Sequence, residues 1–516
     1  MTLTVALHVS ACPQLAQDSF DKVEGDADAG VSSNAGTKNS ATTTLGASGL
    51  TLGGVTSSGV TNSSVTSSSV TGVGGTSAGA SGAAGDGGSS SGGTSVAPTT
   101  LVYATSDNSI YAREWRATSW GAPVQWPTTD SPIAFVEAQM EPDRTWSLAA
   151  FQGEGDEACS LRVFRHVGTD SVRIATISMG EPENCLRARG FDIAFEQQTG
   201  RALLVYALSG AKLGYHVIER ADMSEQHVLS GTNPDRSINW VRAVPDSASN
   251  RIAVGFSVEG GMQNSLMVQE WEGEEFGESH TLAPGGTILD SQSFDFAYYE
   301  SQLIALRGDV SKDGIGYHLR DKDGRWIPEE FRPAALKGNA QGIELRNLPT
   351  GVAGALFDAT GTVASFGTLL WKGGDFTEET RLDDELPAVS NFESSSLKTD
   401  IQRLGDAAVT VYVNDYYGEP DAMSSLGWAV LKSNGWTSQE ETLPMPFEQK
   451  SRGALARSIR LGRFMDDQEG LLLAFGEDDG LYVSSLTDLL EGWTPPMLVE
   501  SAVDGSVSTP FALAGP

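Results

Sequence analysis

Short runs in which apolar and polar residues alternate recur along residues 100 to 516, and each has the length of a β-strand. Eight runs of this kind are clear: 100–105, 145–151, 201–208, 251–258, 302–308, 351–357, 407–413 and 470–476. They are spaced by roughly 50 residues, and self-similarity at that period is typical of propeller blades or solenoid arrays. Helical periodicity is nearly absent.

Each run has the same neighbours, which predict a unit of four strands. A strand that ends in a tight turn (191–200) comes before the run at 201–208, and two further strand patterns follow it at 212–219 and 224–229. Four antiparallel strands per unit form a blade. The sequence therefore predicts an all-β protein, a β-propeller of eight four-stranded blades, with seven blades as the alternative.

An aromatic phrase marks one turn of most units. It reads EWEGEEF at 270–276, LWKGGDF at 370–376 and EWRATSW at 114–120. Gly or Asp-Gly supplies the positive φ of a tight hairpin, and the aromatics can pack across the strand pair. We expect this phrase to be the turn between the third and fourth strands. Packing explains its recurrence better than sugar binding by the tryptophans.

The chain before the first unit has a different composition. No aromatic residue occurs between Phe20 and Tyr103, where Gly, Ser, Thr and Ala dominate. Such a segment cannot bury enough apolar surface to offset the entropy of ordering it. We predict a disordered tether at 13–99 and a propeller at 100–516, closed by pairing of a strand within 506–513 with the first strand after the tether.

Residues 1–12, MTLTVALHVSAC, are an apolar run too short to be a permanent membrane span. This segment resembles a bacterial lipoprotein signal, with Val9, Ser10 and Ala11 at the lipobox positions before Cys12. No Lys or Arg precedes the run, which departs from that pattern. The resemblance implies lipidation of Cys12 and a place in the bacterial cell envelope, lipid-anchored at the outer membrane or cell surface.

Two cysteines remain if Cys12 carries lipid, namely Cys159 and Cys185. Disulfides persist outside the cytosol, so an even remainder fits an exported protein. Both positions lie in predicted loops of one blade. We predict a disulfide between them, and two free, partly buried thiols are the alternative.

Charge limits the choice of partners. Residues 100 to 516 hold 32 basic and 61 acidic side chains, a net charge of −29. Such a field repels phosphate backbones and anionic headgroups, which argues against nucleic-acid binding and against direct binding to membranes. We expect a monomer that meets the membrane through its lipid anchor alone.

Loop length points to one face of the predicted propeller. Loops after second strands and crossovers between blades are long, whereas the turns after first and third strands are short, and function usually lies on long loops. The loop at 414–425 offers flat aromatic area beside acceptors, namely Tyr416 and Tyr417 with Asp415, Glu419 and Asp421. We predict a ligand-binding surface there, with packing of the tyrosines onto the blade as the alternative.

Crossover arginines provide a second candidate site. Arg189, Arg236 and Arg457 could line the mouth of the central channel as an anion site, or could serve as partners for the excess of acids. The histidines have no metal-ligand spacing, and His216 and His318 occupy equivalent third-strand positions. No metal or cofactor is predicted.

The propeller with aromatic turns is loosely similar to sialidases and to propeller lectins. The sialidase Phe/Tyr-Arg-Ile-Pro element is incomplete here, because Phe331 to Pro333 lacks the isoleucine, so no catalytic residue is carried over. Our first hypothesis is a surface-tethered, non-catalytic propeller that binds a protein or a glycan on its long-loop face. The second is a glycan-active hydrolase or lyase with carboxylates near the channel.

Overall fold

A computed structural model of the chain describes residues 98 to 516 with internal gaps. The gaps are 117, 130, 154–158, 169, 181–188, 230–236, 260–263, 288–292, 310–313, 334–338, 361–362, 373, 378–379, 388–396, 398, 415–424, 433–434, 439–457, 466–468, 478–479 and 504–508. The predicted signal at 1–12 and nearly all of the predicted tether at 13–99 lie outside the described residues. No helix among the described residues could cross a membrane.

The described part of the chain is built from β-strands. In chain order they are β1 Thr100–Ala104, β2 Ile110–Arg116, β3 Ser119–Trp120, β4 Val124–Trp126, β5 Ile133–Met140, β6 Ser147–Gly153, β7 Ser160–Val167, β8 Asp170–Ser178, β9 Phe191–Phe195, β10 Ala202–Leu208, β11 Lys212–Ile218, β12 His227–Leu229, β13 Ile238–Pro245, β14 Ile252–Val258, β15 Asn264–Trp271, β16 His280–Thr287 and β17 Phe294–Tyr299. They continue with β18 Gln302–Asp309, β19 Gly314–Arg320, β20 Trp326–Pro333, β21 Asn339–Leu348, β22 Gly351–Thr360, β23 Val363–Lys372, β24 Asp375–Phe376, β25 Thr380–Pro387, β26 Thr399–Leu404, β27 Ala407–Asn414, β28 Ser425–Lys432, β29 Gly435–Ser438, β30 Ser458–Met465, β31 Glu469–Glu477, β32 Gly480–Leu486, β33 Met497–Glu500 and β34 Phe511–Ala514.

These strands form eight antiparallel sheets, the blades of a β-propeller. Blade 1 combines β34 with β1 to β4, blade 2 is β5 to β8, blade 3 is β9 to β12 and blade 4 is β13 to β16. Blades 5 to 8 begin with β17, β21, β26 and β30. The first strands contact one another in a closed circle, from β34 and β5 round to β30 and β34 again. The predicted all-β fold and the count of eight are therefore confirmed.

Blade 1 closes the ring with both ends of the propeller sequence. The last strand, β34, lies antiparallel to β1, with Thr100 opposite Ala514 and Tyr103 opposite Phe511. This pairing leaves no open sheet edge at the junction of first and last blades, and unpaired edges promote aggregation. The predicted closure by N- and C-terminal strands is confirmed.

The aromatic phrase is the turn between third and fourth strands, as expected. In blade 4, Trp271 and Phe276 lie on the two arms of the turn with their ring centroids 5.4 Å apart, edge to face. Tyr215 of blade 3 contacts both rings, at 5.8 and 5.0 Å. Trp271 is 2% exposed and packs between blades 3 and 4. Its ring therefore has no exposed face on which a sugar could stack.

Candidate functional site in the central channel

The first strand of every blade except blade 1 carries a charged residue at one equivalent position. From blade 2 to blade 8 these residues are Glu137, Asp192, Arg242, Asp295, Glu344, Asp400 and Arg460, and the equivalent position of blade 1 is Ala512. First strands surround the propeller axis, so these side chains form a charged layer around the central channel. A buried charge is tolerated only when it is paired and hydrogen-bonded.

Three of these residues, Asp192, Asp295 and Asp400, connect consecutive blades, and we call them the interblade carboxylates. Each lies on an odd-numbered blade and accepts a hydrogen bond from a backbone N–H of the next blade. The donors are Ala243 for Asp192, Leu345 for Asp295 and Leu461 for Asp400, each at 2.7 Å. In each case the donor directly follows the charged residue of the even-numbered blade. The same device therefore fixes blade 3 to 4, 5 to 6 and 7 to 8.

Glu137 is the acidic group of blade 2 and is held by two arginines. Its Oε2 accepts from Nη2 of Arg460 at 2.8 Å and from Nη2 of Arg189 at 2.9 Å. Burial alone would raise the pKa of Glu137, but Arg460, Arg189 and Arg242 together lower it to about 2. Both guanidinium carbons of the direct partners also lie 5.1 Å from the ring centroid of Phe135. Glu137 is therefore ionised throughout the physiological range.

Burial shifts the pKa of Glu344 in the opposite direction, and its nearest guanidinium, that of Arg242, is shared with two aspartates. Arg242 bonds to Asp295 through Nε at 2.7 Å, and its Nη atoms lie 3.6 Å from Asp192 and 3.3 Å from Glu344. Burial raises the pKa of Glu344 to about 8, since the nearby carboxylates of Asp295 and Asp400 counteract Arg242 and Arg346. Burial therefore favours the protonated form of Glu344, in contrast to Glu137.

The charged layer faces a cavity of about 380 Å³. Its walls include Pro142 and Arg144 of the β5–β6 turn and Gln197 of the β9–β10 turn, so it lies at the face with the turns after first strands, here called the turn face. Its charged lining residues are Arg144, Arg242, Arg346, Arg460, Arg463, Glu137, Glu141, Glu344 and Asp400, and its amides are Gln139, Gln197 and Gln402. The lining is polar, with many hydrogen-bond donors.

A second hollow of about 860 Å³ lies between turns of blades 2, 3 and 4. Five glutamates and two arginines supply its charged lining, namely Glu141, Glu219, Glu272, Glu274, Glu275, Arg201 and Arg220. Arg201 is bound there to the buried carboxylate of Glu196 at 2.9 Å. This hollow is larger than the channel cavity, but it runs along surface turns whose acids are solvated, so we place the candidate site in the channel.

The structure describes only one of the ligand-binding residues predicted from sequence. Arg189 lies in the channel, 1% exposed and bound to both Glu137 and Asp192, so it serves as a partner for acids. The other predicted binding residues lie outside the described residues: Asp415, Tyr416, Tyr417, Glu419, Asp421, Arg236 and Arg457. The long-loop surface therefore stays a prediction.

Only one of the two cysteines in the predicted disulfide is among the described residues. Cys159 is 7% exposed at the start of β7 and is disulfide-bonded. Cys185 and Cys12 both lie outside the described residues, so the pairing of Cys159 with Cys185 stays a prediction. Among the residues with described positions, no group of three or more His, Cys, Asp or Glu could hold a metal ion.

Sequence reasoning missed the channel residues, although a signal was present. The first strands read FDIAF at 191–195 and FDFAY at 294–298, with WVRAV at 240–244 and SIRLG at 458–462. A single charge in a short apolar strand, repeated at one position of successive units, indicates side chains that meet at the axis of a propeller. Loop length, on which the predicted binding surface was based, points to the opposite face of the propeller.

Comparison with known proteins supports the architecture. No family model matches the chain, and no curated protein is similar to it in sequence. Among solved structures, dihydro-heme d1 dehydrogenase NirN in complex with DHE is similar with a TM-score of 0.50 and 12% identity, over 78% of this chain and 74% of that chain. Weaker likenesses are the Aleuria aurantia lectin (TM-score 0.35, 13% identity, 61% of this chain and 97% of that chain) and polysaccharide lyase Uly1 (0.40, 8%, 70% and 91%). At such identities the likeness concerns the fold alone.

Proposed function

We propose that this chain is a non-catalytic binding propeller that holds a small polar ligand, or one sugar unit of a glycan, in the central cavity of the turn face. The observation that carries the proposal is the cavity itself. Its volume of about 380 Å³ lies within the range of sites for small ligands. A protein partner would instead need a broad exposed surface.

Binding is favoured over catalysis because the channel carboxylates already have partners. Glu137 is held by Arg189 and Arg460, and the interblade carboxylates accept from backbone N–H groups. A catalytic carboxylate must exchange a proton with a substrate or attack it, and therefore needs an oxygen free to reach it. These carboxylates instead fix the positions of the blades and of the arginines in the wall.

A hydrolase or lyase is the second candidate, and one observation favours it. Glu344 and Glu137 line the same cavity, and their pKa values of about 8 and about 2 differ widely. A protonated and an ionised carboxyl group in one site are the arrangement of acid–base catalysis. A network of buried ion pairs with a purely structural role also produces such a difference between two pKa values.

A ligand screen separates the two candidates. The full chain is tested against a panel of mono- and oligosaccharides for binding and for product formation. We expect binding without turnover, at least tenfold weaker in Gln402→Trp, which fills the cavity, and unchanged in Gln125→Trp, on the exposed strand β4. Turnover by the wild-type protein that is lost in Glu344→Gln would establish the enzyme instead. Equal binding by both tryptophan variants would place the ligand elsewhere.

Surface tethering is the remaining part of the proposal. The likeness of residues 1–12 to a lipoprotein signal supports anchoring through Cys12, which would place the propeller at the bacterial cell envelope. The composition of 13–99 suits a flexible spacer between anchor and propeller. Mass analysis of the N-terminal peptide from native membranes should show acylated Cys12. A soluble protein with an unmodified Met1 would exclude the anchor.

A further inference from the structure

We propose that the guanidinium of Arg346 binds the carboxylate of a sugar acid in the central cavity. This inference rests on the proposed function, because it names the ligand class of the same cavity. Arg346 lies on β21, lines the cavity and keeps 31% of its side chain exposed. It is the most exposed of the three cavity arginines that pair with channel acids, since Arg242 and Arg460 are 11% and 10% exposed.

The terminal nitrogens of Arg346 have unused hydrogen-bonding capacity. Its Nε donates to the carbonyl oxygen of Ile401 at 2.9 Å, which fixes the side chain against blade 7. Its Nη2 lies 3.6 Å from Oδ1 of Asp400, beyond hydrogen-bonding distance. Among the residues that the structure describes, neither Nη atom has a closer acceptor. The guanidinium therefore presents paired donors to the cavity.

Asp400 does not satisfy this guanidinium because its own oxygens are engaged elsewhere. Oδ1 accepts from the N–H of Ile401 and Oδ2 from the N–H of Leu461, both at 2.7 Å. The carboxylate is thus held at the junction of blades 7 and 8 and cannot turn toward Arg346 without losing both bonds. A ligand carboxylate is the natural bidentate partner for the free side of the guanidinium.

The amide side chains of the lining suit the hydroxyl groups of a sugar acid. Gln139, Gln197 and Gln402 line the same cavity and offer both donors and acceptors, as sugar hydroxyls require. Glu344 lies two residues before Arg346 on the same strand, and burial raises its pKa and so favours the neutral form, which does not repel an incoming anion. A hexuronate unit combines these groups, whereas a neutral hexose lacks the partner for Arg346.

Titration of D-glucuronate and D-glucose into the full chain by calorimetry tests the inference. At neutral pH and low salt, we expect glucuronate to bind at least tenfold more tightly than glucose. Arg346→Gln should lose this preference, and Arg346→Lys should keep part of it. The control Arg116→Gln removes an arginine paired with Glu114 whose side chain is 71% exposed on blade 1, away from the cavity, and should change neither affinity.

Equal affinities for the two sugars, or an unchanged preference in folded Arg346→Gln, would overturn the inference. Lack of glucuronate binding by the folded wild-type protein would also overturn it. None of these results removes the proposed function, which depends on whether Gln402→Trp abolishes binding of a ligand found in the broader screen. If Arg346→Gln does not fold, Arg346→Lys decides, since a single ammonium cannot form the bidentate pair and should lower the preference.

Discussion

The junction between blades 1 and 2 differs from the three other junctions that lead from an odd-numbered to an even-numbered blade. Blades 3, 5 and 7 each supply an interblade carboxylate to a backbone N–H of the following blade. Blade 1 has Ala512 at this position and supplies no side-chain acceptor. One backbone bond is shared nevertheless, since Val136 N–H donates to Thr509 O as Val241 does to Arg189 O. The backbone geometry is thus repeated without its carboxylate.

The missing carboxylate belongs to the blade that holds both ends of the propeller sequence. Blade 1 combines the two ends of the propeller sequence, since its first strand β34 pairs with β1. The side chain of Thr509, three residues before Ala512, contacts the chain on the other side of blade 1, at the starts of blades 7 and 8. Its hydroxyl accepts from Leu397 N–H at 3.3 Å and lies 3.1 Å from the hydroxyl of Ser458. These hydrogen bonds join neutral groups, so we expect a smaller energetic effect from Thr509 than from the interblade carboxylates.

The largest effect is expected for Asp192→Ala. This change removes the acceptor of Ala243 N–H and leaves Arg189 with one carboxylate fewer in a buried site. Breaking a buried ion pair by removing one partner costs about 3–5 kcal/mol. Urea unfolding followed by tryptophan fluorescence should show a loss of that size, whereas Asp143→Ala in the exposed β5–β6 turn should cost less than about 0.5 kcal/mol. A loss for Asp192→Ala below about 1 kcal/mol would show that the carboxylate does not fix the junction.

A pH-dependent effect of intermediate size is expected at Glu344. Its pKa of about 8 in the folded protein lies above the ordinary value, so its stabilising contribution is complete below about pH 4.5 and is lost as pH rises through about 8. Glu344→Gln mimics the protonated form at every pH. The free energy of unfolding of the wild type relative to this variant should fall by a few kcal/mol between pH 5 and pH 8, and level off above.

Measurement of urea unfolding for both proteins at several pH values between 5 and 9 checks this expectation. The charged groups around Glu344, namely Arg242, Arg346, Asp295 and Asp400, are present in both proteins, so their own titration largely cancels. A difference that is constant over this range would mean that Glu344 is ionised in the folded state. In that case Arg242 would neutralise Glu344 fully, in addition to Asp192 and Asp295.

The fold could be predicted from sequence because its strand pattern repeats along the chain. Strand patterns at a period of roughly 50 residues indicate blades, and the strand left over after the eighth unit indicates closure, so both predictions succeeded. The channel layer depends on which first-strand residues meet across the axis, and Asp192 and Ala243 become neighbours only when blades 3 and 4 pack. The protonation of Glu344 depends on three carboxylates sharing Arg242, which is a property of the assembled layer. No local pattern carries that information.

The smallest effect is expected for Thr509→Val in blade 1, the odd-numbered blade that has no interblade carboxylate. Valine keeps the shape of threonine but removes the acceptor of Leu397 N–H and the contact with Ser458. Loss of buried hydrogen bonds between neutral groups costs about 1–2 kcal/mol, well below the cost at an ion pair. Urea unfolding should give this value for Thr509→Val, and Thr509→Ser, which keeps the hydroxyl group, should lose clearly less. If Thr509→Val cost as much as Asp192→Ala, blade 1 would depend on neutral side-chain bonds as strongly as blade 3 depends on its carboxylate, and the contrast between the two blades would be wrong.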